Sequence, residues 1–87
     1  MKYFVTRVLL RPLDDEPLPD FVPLSVKLDD NFIEIGRIPT RCRDGRGWII
    51  ALVFGKPLVV NAGEQCFIKI DDPYLVERFG IVIEGGP

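Results

Sequence analysis

The sequence predicts an all-β protein with one short helix, folded as a small barrel or a two-layer β-sandwich built from hairpins. Three observations predict this class. Apolar residues alternate with period two along most of the chain, turn residues separate the apolar runs, and a single short stretch has helical spacing. With 87 residues, the chain is expected to form one domain, residues 1–87, with a small hydrophobic core.

The first predicted strand covers residues 2–11. Both of its faces are largely apolar, which is typical of a central strand or of one covered on both sides. The composition then changes abruptly, because residues 12–23 contain four prolines and four acidic residues. Proline removes backbone donors and fixes φ, so we expect an extended surface connection here, held to the body by its apolar side chains.

Two hairpins are predicted next. Residues 24–28 alternate cleanly, and a turn at residues 29–31 leads into a partner strand over residues 32–38. The dipeptide Asp44-Gly45 suits a two-residue type I′ turn. That turn would join residues 37–43 to the most hydrophobic strand, residues 46–54.

Further turns are predicted at residues 55–57 and 61–64, which leaves short strands at residues 58–60 and 65–70. The predicted helix covers residues 72–79. Asp72 suits its N-cap, Pro73 its first position and Gly80 its end. A final strand is expected over residues 81–84, followed by a short, flexible tail at residues 85–87.

Composition excludes several classes of function. The net charge of −2 provides no overall attraction to nucleic acid or to an anionic membrane. The chain has no histidine, the residue most often used as a general base and as a metal ligand. The longest apolar run, residues 48–54, is far shorter than the roughly 20 residues of a membrane-spanning helix. Arg7 and Arg11 interrupt the N-terminal apolar stretch, so we do not expect a secreted protein.

The first candidate site is the predicted arginine hairpin. In a two-residue turn Arg43 lies opposite Arg46, Arg41 lies opposite Trp48, and Arg37 shares their face. Two opposed arginines repel each other unless an anion lies nearby, and Arg41 is placed for a cation–π contact with Trp48. The predicted contact residues are Arg37, Arg41, Arg43, Arg46 and Trp48.

The acidic connection provides a complementary candidate surface. Its predicted contact residues are Asp14, Asp15, Glu16 and Asp20. Three interpretations of the arginines stay open. They face an acidic protein surface, either that of this chain or that of another. Alternatively, they bind nucleic acid together with the interleaved aromatic residue, or they form a solvated rim without a partner. The pI of 5.0 argues against a nucleic-acid footprint.

No catalytic, cofactor or metal site is expected. The carboxylate pairs at residues 14–15, 29–30 and 71–72 lie in a predicted loop, turn and helix start, where Asp is favoured for its local hydrogen bonds. The serine, threonine and cysteine nucleophiles have no histidine to activate them. Cys42 and Cys66 are expected to be buried free thiols, with a structural disulfide as the alternative. An enzyme with an unrecognised site is the weakest hypothesis.

Most aromatic residues are assigned to the core. Several predicted strands are nevertheless apolar on both faces, and a domain of this size has too little chain to cover both. A surplus apolar face on a small protein is typical of an interface.

Residues 59–84 run from Val-Val-Asn-Ala-Gly-Glu through Phe-Ile-Lys-Ile-Asp-Asp to Leu-Val-Glu-Arg-Phe-Gly-Ile-Val-Ile-Glu. This pattern resembles the C-terminal module of small tailed-phage accessory or virion-associated proteins. They often end with a Gly-Asp/Glu turn, a strand, an acidic helix cap, a short helix and a Gly–hydrophobic–Glu finish. The resemblance implies a virion-associated or host-directed phage protein, located in the virion or in the host cytoplasm, and it assigns no catalytic residue.

From these features we expect a non-enzymatic β module that binds a protein partner or assembles with itself as a homo-oligomer. If the chain is not phage-encoded, we expect a cytoplasmic protein with no membrane contact. The alternative hypothesis is a small oligonucleotide-binding β-barrel that uses the Arg/Trp hairpin. The filamentous-phage single-stranded-DNA-binding proteins are similar in size and class, but their aromatic and basic positions have no counterpart in this sequence.

Overall fold

The computed structural model describes residues 2–87, which form two three-stranded antiparallel sheets packed as a sandwich. The strands are β1 (Lys2–Pro12), β2 (Phe21–Leu28), β3 (Asn31–Pro39), β4 (Ile49–Asn61), β5 (Cys66–Ile70) and β6 (Phe79–Gly86). Sheet A has the order β4-β1-β6, and sheet B has the order β3-β2-β5. The all-β class is therefore confirmed. Over the described residues the sheets stay open, so the architecture is the sandwich and not the barrel.

The hydrophobic core lies between the two sheets and is built around their central strands. In β1, Val8 and Leu10 are fully buried, and in β2 Val22 and Leu24 are equally buried. The outer strands complete the same cluster with Ile38, Ile49, Ile70 and Phe79. Because β1 and β2 each have a neighbour on both sides, their side chains are covered more completely than those of the four edge strands.

The outer face of β1 is covered at Leu9. Leu9 is fully buried, although it does not belong to the core cluster between the sheets. Side chains alternate along a strand, so Leu9 lies on the outer face of sheet A together with Arg7 and Arg11. Its register partners on that face are Ile50 and Val82. The prediction of a central strand for residues 2–11 is confirmed.

The helix predicted over residues 72–79 is wrong in its extent, because only a 3₁₀ turn forms there. The carboxylate of Asp72 accepts a hydrogen bond from the N–H of Tyr74 at 2.9 Å, as a cap should. The chain then makes only one 3₁₀ turn, Val76–Arg78, and Phe79 is already extended. Burial of Phe79 in the core and its pairing in β6 outweigh the helical pattern, which is too short to be stable alone. Among residues 2–87, no helix has the length and apolar character needed to cross a bilayer.

The two-residue turn predicted at residues 44–45 is also wrong. The carboxylate of Asp44 accepts hydrogen bonds from the N–H groups of Arg46 and Trp48 at 2.9 and 3.0 Å, which produces a wider loop. Arg43 consequently bridges to Ile49 and not to Arg46. In addition, β3 belongs to sheet B and β4 to sheet A, so residues 40–48 connect the two layers. Only the short segments beside the Arg43–Ile49 bridge pair antiparallel, as the predicted hairpin requires.

The turn predicted at residues 55–57 is a bulge within β4. The register of β4 against β1 changes from Val5↔Leu58 to Arg7↔Val53, which leaves the intervening residues of β4 without partners. Turns at residues 29–30 and 62–63 do form where the sequence predicts them.

The flexible tail predicted at residues 85–87 is largely ordered. Gly85 and Gly86 pair with Val5 and Phe4, so β6 continues to Gly86. A side chain at residue 85 would collide with the backbone of β1, whose Val5 Cα would lie 3.1 Å from an added Cβ. Glycine is therefore what allows the last strand to lie close against β1.

Candidate functional site: a cleft between acidic and basic loops

Two loops face each other across an open cleft of about 470 Å³. We call residues 13–20, between β1 and β2, the acidic loop, and residues 40–48, between β3 and β4, the arginine loop. The acidic wall of the cleft carries Asp14, Asp15 and Glu16, and the opposite wall carries Arg43, Arg46 and Trp48. The two segments that the sequence singled out thus meet within one chain, a point that the sequence left open.

Arg78 holds the acidic loop in place. Its guanidinium donates to both carboxylate oxygens of Asp14 at 3.1 and 3.2 Å, and to the carbonyl oxygens of Glu16 and Pro17 at 3.3 and 3.0 Å. The bond from Arg78 holds the pKa of Asp14 below its ordinary value, so this carboxylate stays charged. Sequence reasoning missed Arg78, because it lies 64 residues from Asp14 in the predicted helix and no local signal connects them.

The basic wall is fixed by a stack of Arg46 on Trp48. The Arg46 guanidinium lies 3.8 Å from the centroid of the indole ring. The same guanidinium binds the carboxylates of Asp44 at 2.8 Å and Glu84 at 3.2 Å. The predicted partner of Trp48, Arg41, does not stack on it. Arg11 lies 5.9 Å from the ring, so the indole contacts cations from its own chain.

Glu84 joins the arginine loop to sheet A. It accepts hydrogen bonds from Arg7 in β1, with Nη2 2.5 Å from Oε1, while its other oxygen binds Arg46. The hydrogen bond from Arg7 is the main cause that holds the pKa of Glu84 below its ordinary value, and the bond from Arg46 adds to it. This row of charges lies on the outer face of sheet A, the face on which Leu9 is buried. Exposed ion pairs stabilise little individually, but the network fixes the position of the Arg46 side chain.

The remaining predicted site residues lie away from this cleft. Arg37 is in β3, with its guanidinium 4.9 Å from the ring centroid of Phe21. Arg41 and Asp20 line a second, smaller depression of about 240 Å³ together with Thr40. The hydroxyl of Thr40 donates to the carbonyl oxygen of Pro19 at 2.5 Å, and this bond ties the arginine loop to the acidic loop. The predicted set of nine residues therefore divides between three places.

Charges of both signs remain unpaired on the walls of the cleft. Asp14 is neutralised by Arg78, and Arg46 by Asp44 and Glu84. Within residues 2–87, no ion pair engages the exposed side chains of Asp15, Glu16 and Arg43. The cleft thus has a negative and a positive wall, each with charge available to a ligand.

The chemistry of the described residues offers little besides charge. No cluster of three or more metal-ligating side chains occurs within residues 2–87. Both cysteines are free thiols, and Cys42 is exposed, so its predicted burial is wrong. Cys66 is half-buried, and burial raises the pKa of its thiol, which makes it less reactive.

Comparison with known proteins gave no relative for this chain: no protein-family model, curated protein or solved structure matches it.

Proposed function

We propose that this protein is a non-enzymatic binding module that holds a charged segment of a partner protein in the cleft between its acidic and arginine loops. The observation that supports the proposal is the pair of opposed walls with unpaired charge. Asp15 and Glu16 lie on one wall and Arg43 on the other. A segment with basic side chains on one side and acidic side chains on the other would form ion pairs with both walls.

The cleft suits a peptide better than the other classes of ligand. Its volume lies within the range of about 300–1,000 Å³ that is usual for ligand sites. A nucleic acid would bring its phosphates against Asp15 and Glu16, and the Trp48 ring on which a base would stack already carries Arg46. Both features weigh against the oligonucleotide hypothesis.

Both walls are held in position before a ligand arrives. Arg78 pins the acidic loop, and the hydrogen bonds to Asp44 shape the arginine loop. Binding would therefore order little additional chain, which lowers the entropic cost of association. Within this proposal Arg43 contacts the partner directly, whereas Arg46 maintains the wall through Trp48 and Glu84.

The resemblance of residues 59–84 to small phage proteins supplies a context for the proposal. In that context the partner would be another virion protein or a host protein. The place of action would then be the virion or the host cytoplasm.

The test is a titration of isotopically labelled protein, followed by amide shifts in NMR spectra. The probe is a short peptide of alternating Lys and Glu, with a Gly-Ser peptide of equal length as the reference. We expect saturable shifts at residues 14–18 and 43–48 with the charged peptide, and weakening by added salt. The Gly-Ser peptide should leave the spectrum unchanged.

Arg43→Glu removes the free positive charge of the cleft, and Arg37→Glu is its matched control at an exposed arginine outside the cleft. We expect Arg43→Glu to abolish the shifts and Arg37→Glu to preserve them. Equal effects of the two variants, or no shifts with the unmodified protein, would overturn the proposal. Stronger binding of a short oligothymidine than of the charged peptide would favour the oligonucleotide hypothesis instead.

A further inference from the structure

We propose that two copies of this chain associate through β6, with the open edges of their β6 strands pairing antiparallel to form one six-stranded sheet. The inference concerns an edge of sheet A and does not depend on a ligand in the cleft. It names both the partner, a second copy of this chain, and the surface that it uses.

The four edge strands of residues 2–87 differ in how they are protected against pairing with another chain. Natural sheets block their edges with bulges, proline, lysine or very short strands. In β3 the register slips next to Gly36, whose φ is +100°, and the strand ends at Pro39. The bulge in β4 contains Lys56 and Pro57. The β5 strand has only five residues, one of which is Lys69.

None of these devices occurs in β6. The strand has eight residues without proline or lysine. Its pairing with β1 is irregular only where β1 has an extra residue, Thr6, so β6 itself runs without a bulge. Its one charged residue, Glu84, is bound to Arg7 and Arg46 on the outer face of the sheet.

The backbone of β6 also presents free hydrogen-bonding groups. The hydroxyl of Thr6 in β1 donates to the carbonyl oxygen of Glu84 at 3.1 Å, so the backbone groups of Glu84 face β1. Neighbouring residues of a strand direct their N–H and C=O groups to opposite edges. Those of Ile81 and Ile83 therefore face the open edge, with which no strand of residues 2–87 pairs.

Two isoleucines beside this edge are incompletely covered. Ile81 and Ile83 are register partners of Leu10 and Val8, whose side chains are fully buried in the core. They lie on the same face of the sheet, yet they are 37% and 38% exposed. A further strand beside β6 would cover these side chains and satisfy the open backbone groups together.

The sequence of β6 fits a second copy of itself. A two-fold axis at Val82 places Ile81 opposite Ile83 of the second copy, and Ile83 opposite its Ile81. Four isoleucines then lie together on the core side. The same register places Gly80 opposite Glu84, so no like charges meet. A register centred on Glu84 would instead oppose two carboxylates, which is unfavourable. The centred register is therefore the one that we infer.

The first test measures mass against protein concentration by sedimentation equilibrium. We expect the unmodified chain to form a dimer and Ile83→Lys to weaken dimerisation by about 100-fold, because a charge would be buried without a partner. The matched control is Ile33→Lys, the same substitution at a 46% exposed isoleucine on β3, one of the two edge strands of sheet B. It should leave the dimer intact, and circular dichroism should show that both variants are folded.

The second test examines the register by cross-linking. In a background of Cys42→Ser and Cys66→Ala, Val82→Cys would place two thiols directly opposite each other across the two-fold axis. Directly opposed residues lie about 4.5–5.5 Å apart between Cα atoms, which is within the range of a disulfide. We expect a disulfide-linked dimer on mild oxidation. Val53→Cys, at an exposed position of the β4 edge, should stay monomeric.

The outcomes separate this inference from the proposed function. A chain that stays monomeric at every concentration overturns the β6 dimer. The β6 dimer is also overturned if Ile33→Lys abolishes dimerisation while Ile83→Lys still dimerises, because the interface would then lie on β3. Ile83→Lys should still bind the charged peptide, and Arg43→Glu should still dimerise. Failure of one proposal therefore leaves the other standing.

Discussion

Gly85→Ala is expected to damage the pairing of the last strand with β1. A Cβ atom at residue 85 would overlap the carbonyl oxygen of Phe4 and would lie 2.9 Å from the carbonyl carbon of that residue. These are backbone atoms of the central strand, so no side-chain rotation relieves the contact. The end of β6 must instead move away from β1.

The expected loss of stability follows from the strand pairs between β6 and β1 that the substitution would break. Val5↔Gly85 and Phe4↔Gly86 are the last two register pairs of β6 with β1. Each backbone hydrogen bond contributes about 0.5–1.5 kcal/mol net, and Val5, now 2% exposed, would lose part of its cover. We therefore expect the free energy of unfolding to fall by about 2–4 kcal/mol, a large part of the ~5–15 kcal/mol of a typical small domain.

The assay is urea unfolding followed by far-ultraviolet circular dichroism and by the fluorescence of Trp48. Gly86→Ala is the matched control, because nothing lies within 4 Å of a Cβ atom at that position. It should change the free energy of unfolding by less than about 1 kcal/mol. All variants need the same protein concentration, since dimerisation would add to stability. If Gly85→Ala were as stable as Gly86→Ala, the close approach of β6 to β1 would be refuted.

Three further predictions concern the charge network. The pKa of the Glu84 carboxyl is lower in the folded protein than its ordinary value of 4.5. The stability that this carboxylate contributes is therefore complete above pH 4.5 and is lost as the pH falls through the folded-state pKa. Glu84→Gln should accordingly make the free energy of unfolding less sensitive to acid. Arg46→Ala should uncover Trp48 and raise the quenching of its fluorescence by acrylamide. Arg78→Ala should free the acidic loop, which hydrogen exchange would show as faster exchange at the hydrogen-bonded amides of Leu13 and Glu16.

Each of these predictions has its own control. Glu77 is an exposed glutamate that forms no ion pair within residues 2–87. Glu77→Gln should therefore not change how the free energy of unfolding falls at acidic pH. Arg41→Ala removes an exposed arginine that neither stacks on Trp48 nor binds the acidic loop, so it should alter neither quenching nor exchange. A Trp48 that is quenched equally in Arg46→Ala and Arg41→Ala would show that the stack does not cover the ring in solution.

Strand positions were largely predictable, because the signal for a strand is local. Alternation and flanking turn residues predicted a strand at residues 2–11, and β1 spans Lys2–Pro12. The turn predicted at residues 29–31 was predictable for the same reason, although it forms at residues 29–30 and Asp29, not Asn31, adopts the positive φ, 51°. These preferences depend on neighbours in sequence, not on distant contacts.

The candidate site was only half predictable. Both loops were evident from their composition, but the geometry of the arginines was not, because an Asp-Gly dipeptide does not reveal that the strands beside it belong to different sheets. Arg43 therefore pairs with Ile49 and not with Arg46. Arg78 and Glu84, which hold the two walls, are 64 and 38 residues away from the side chains that they bind.

By itself, the sequence determined the all-β class, most strand positions and the charge of the two loops, since these depend on period, propensity and composition. The tertiary structure alone decided that the loops face each other, that the helical pattern of residues 72–79 gives one 3₁₀ turn and an extended Phe79, and that β6 is an open edge. The physical reason is that burial and strand pairing act between residues far apart in the chain. Phe79 gains more from the core of the sandwich than from a short helix, and no local pattern records that difference.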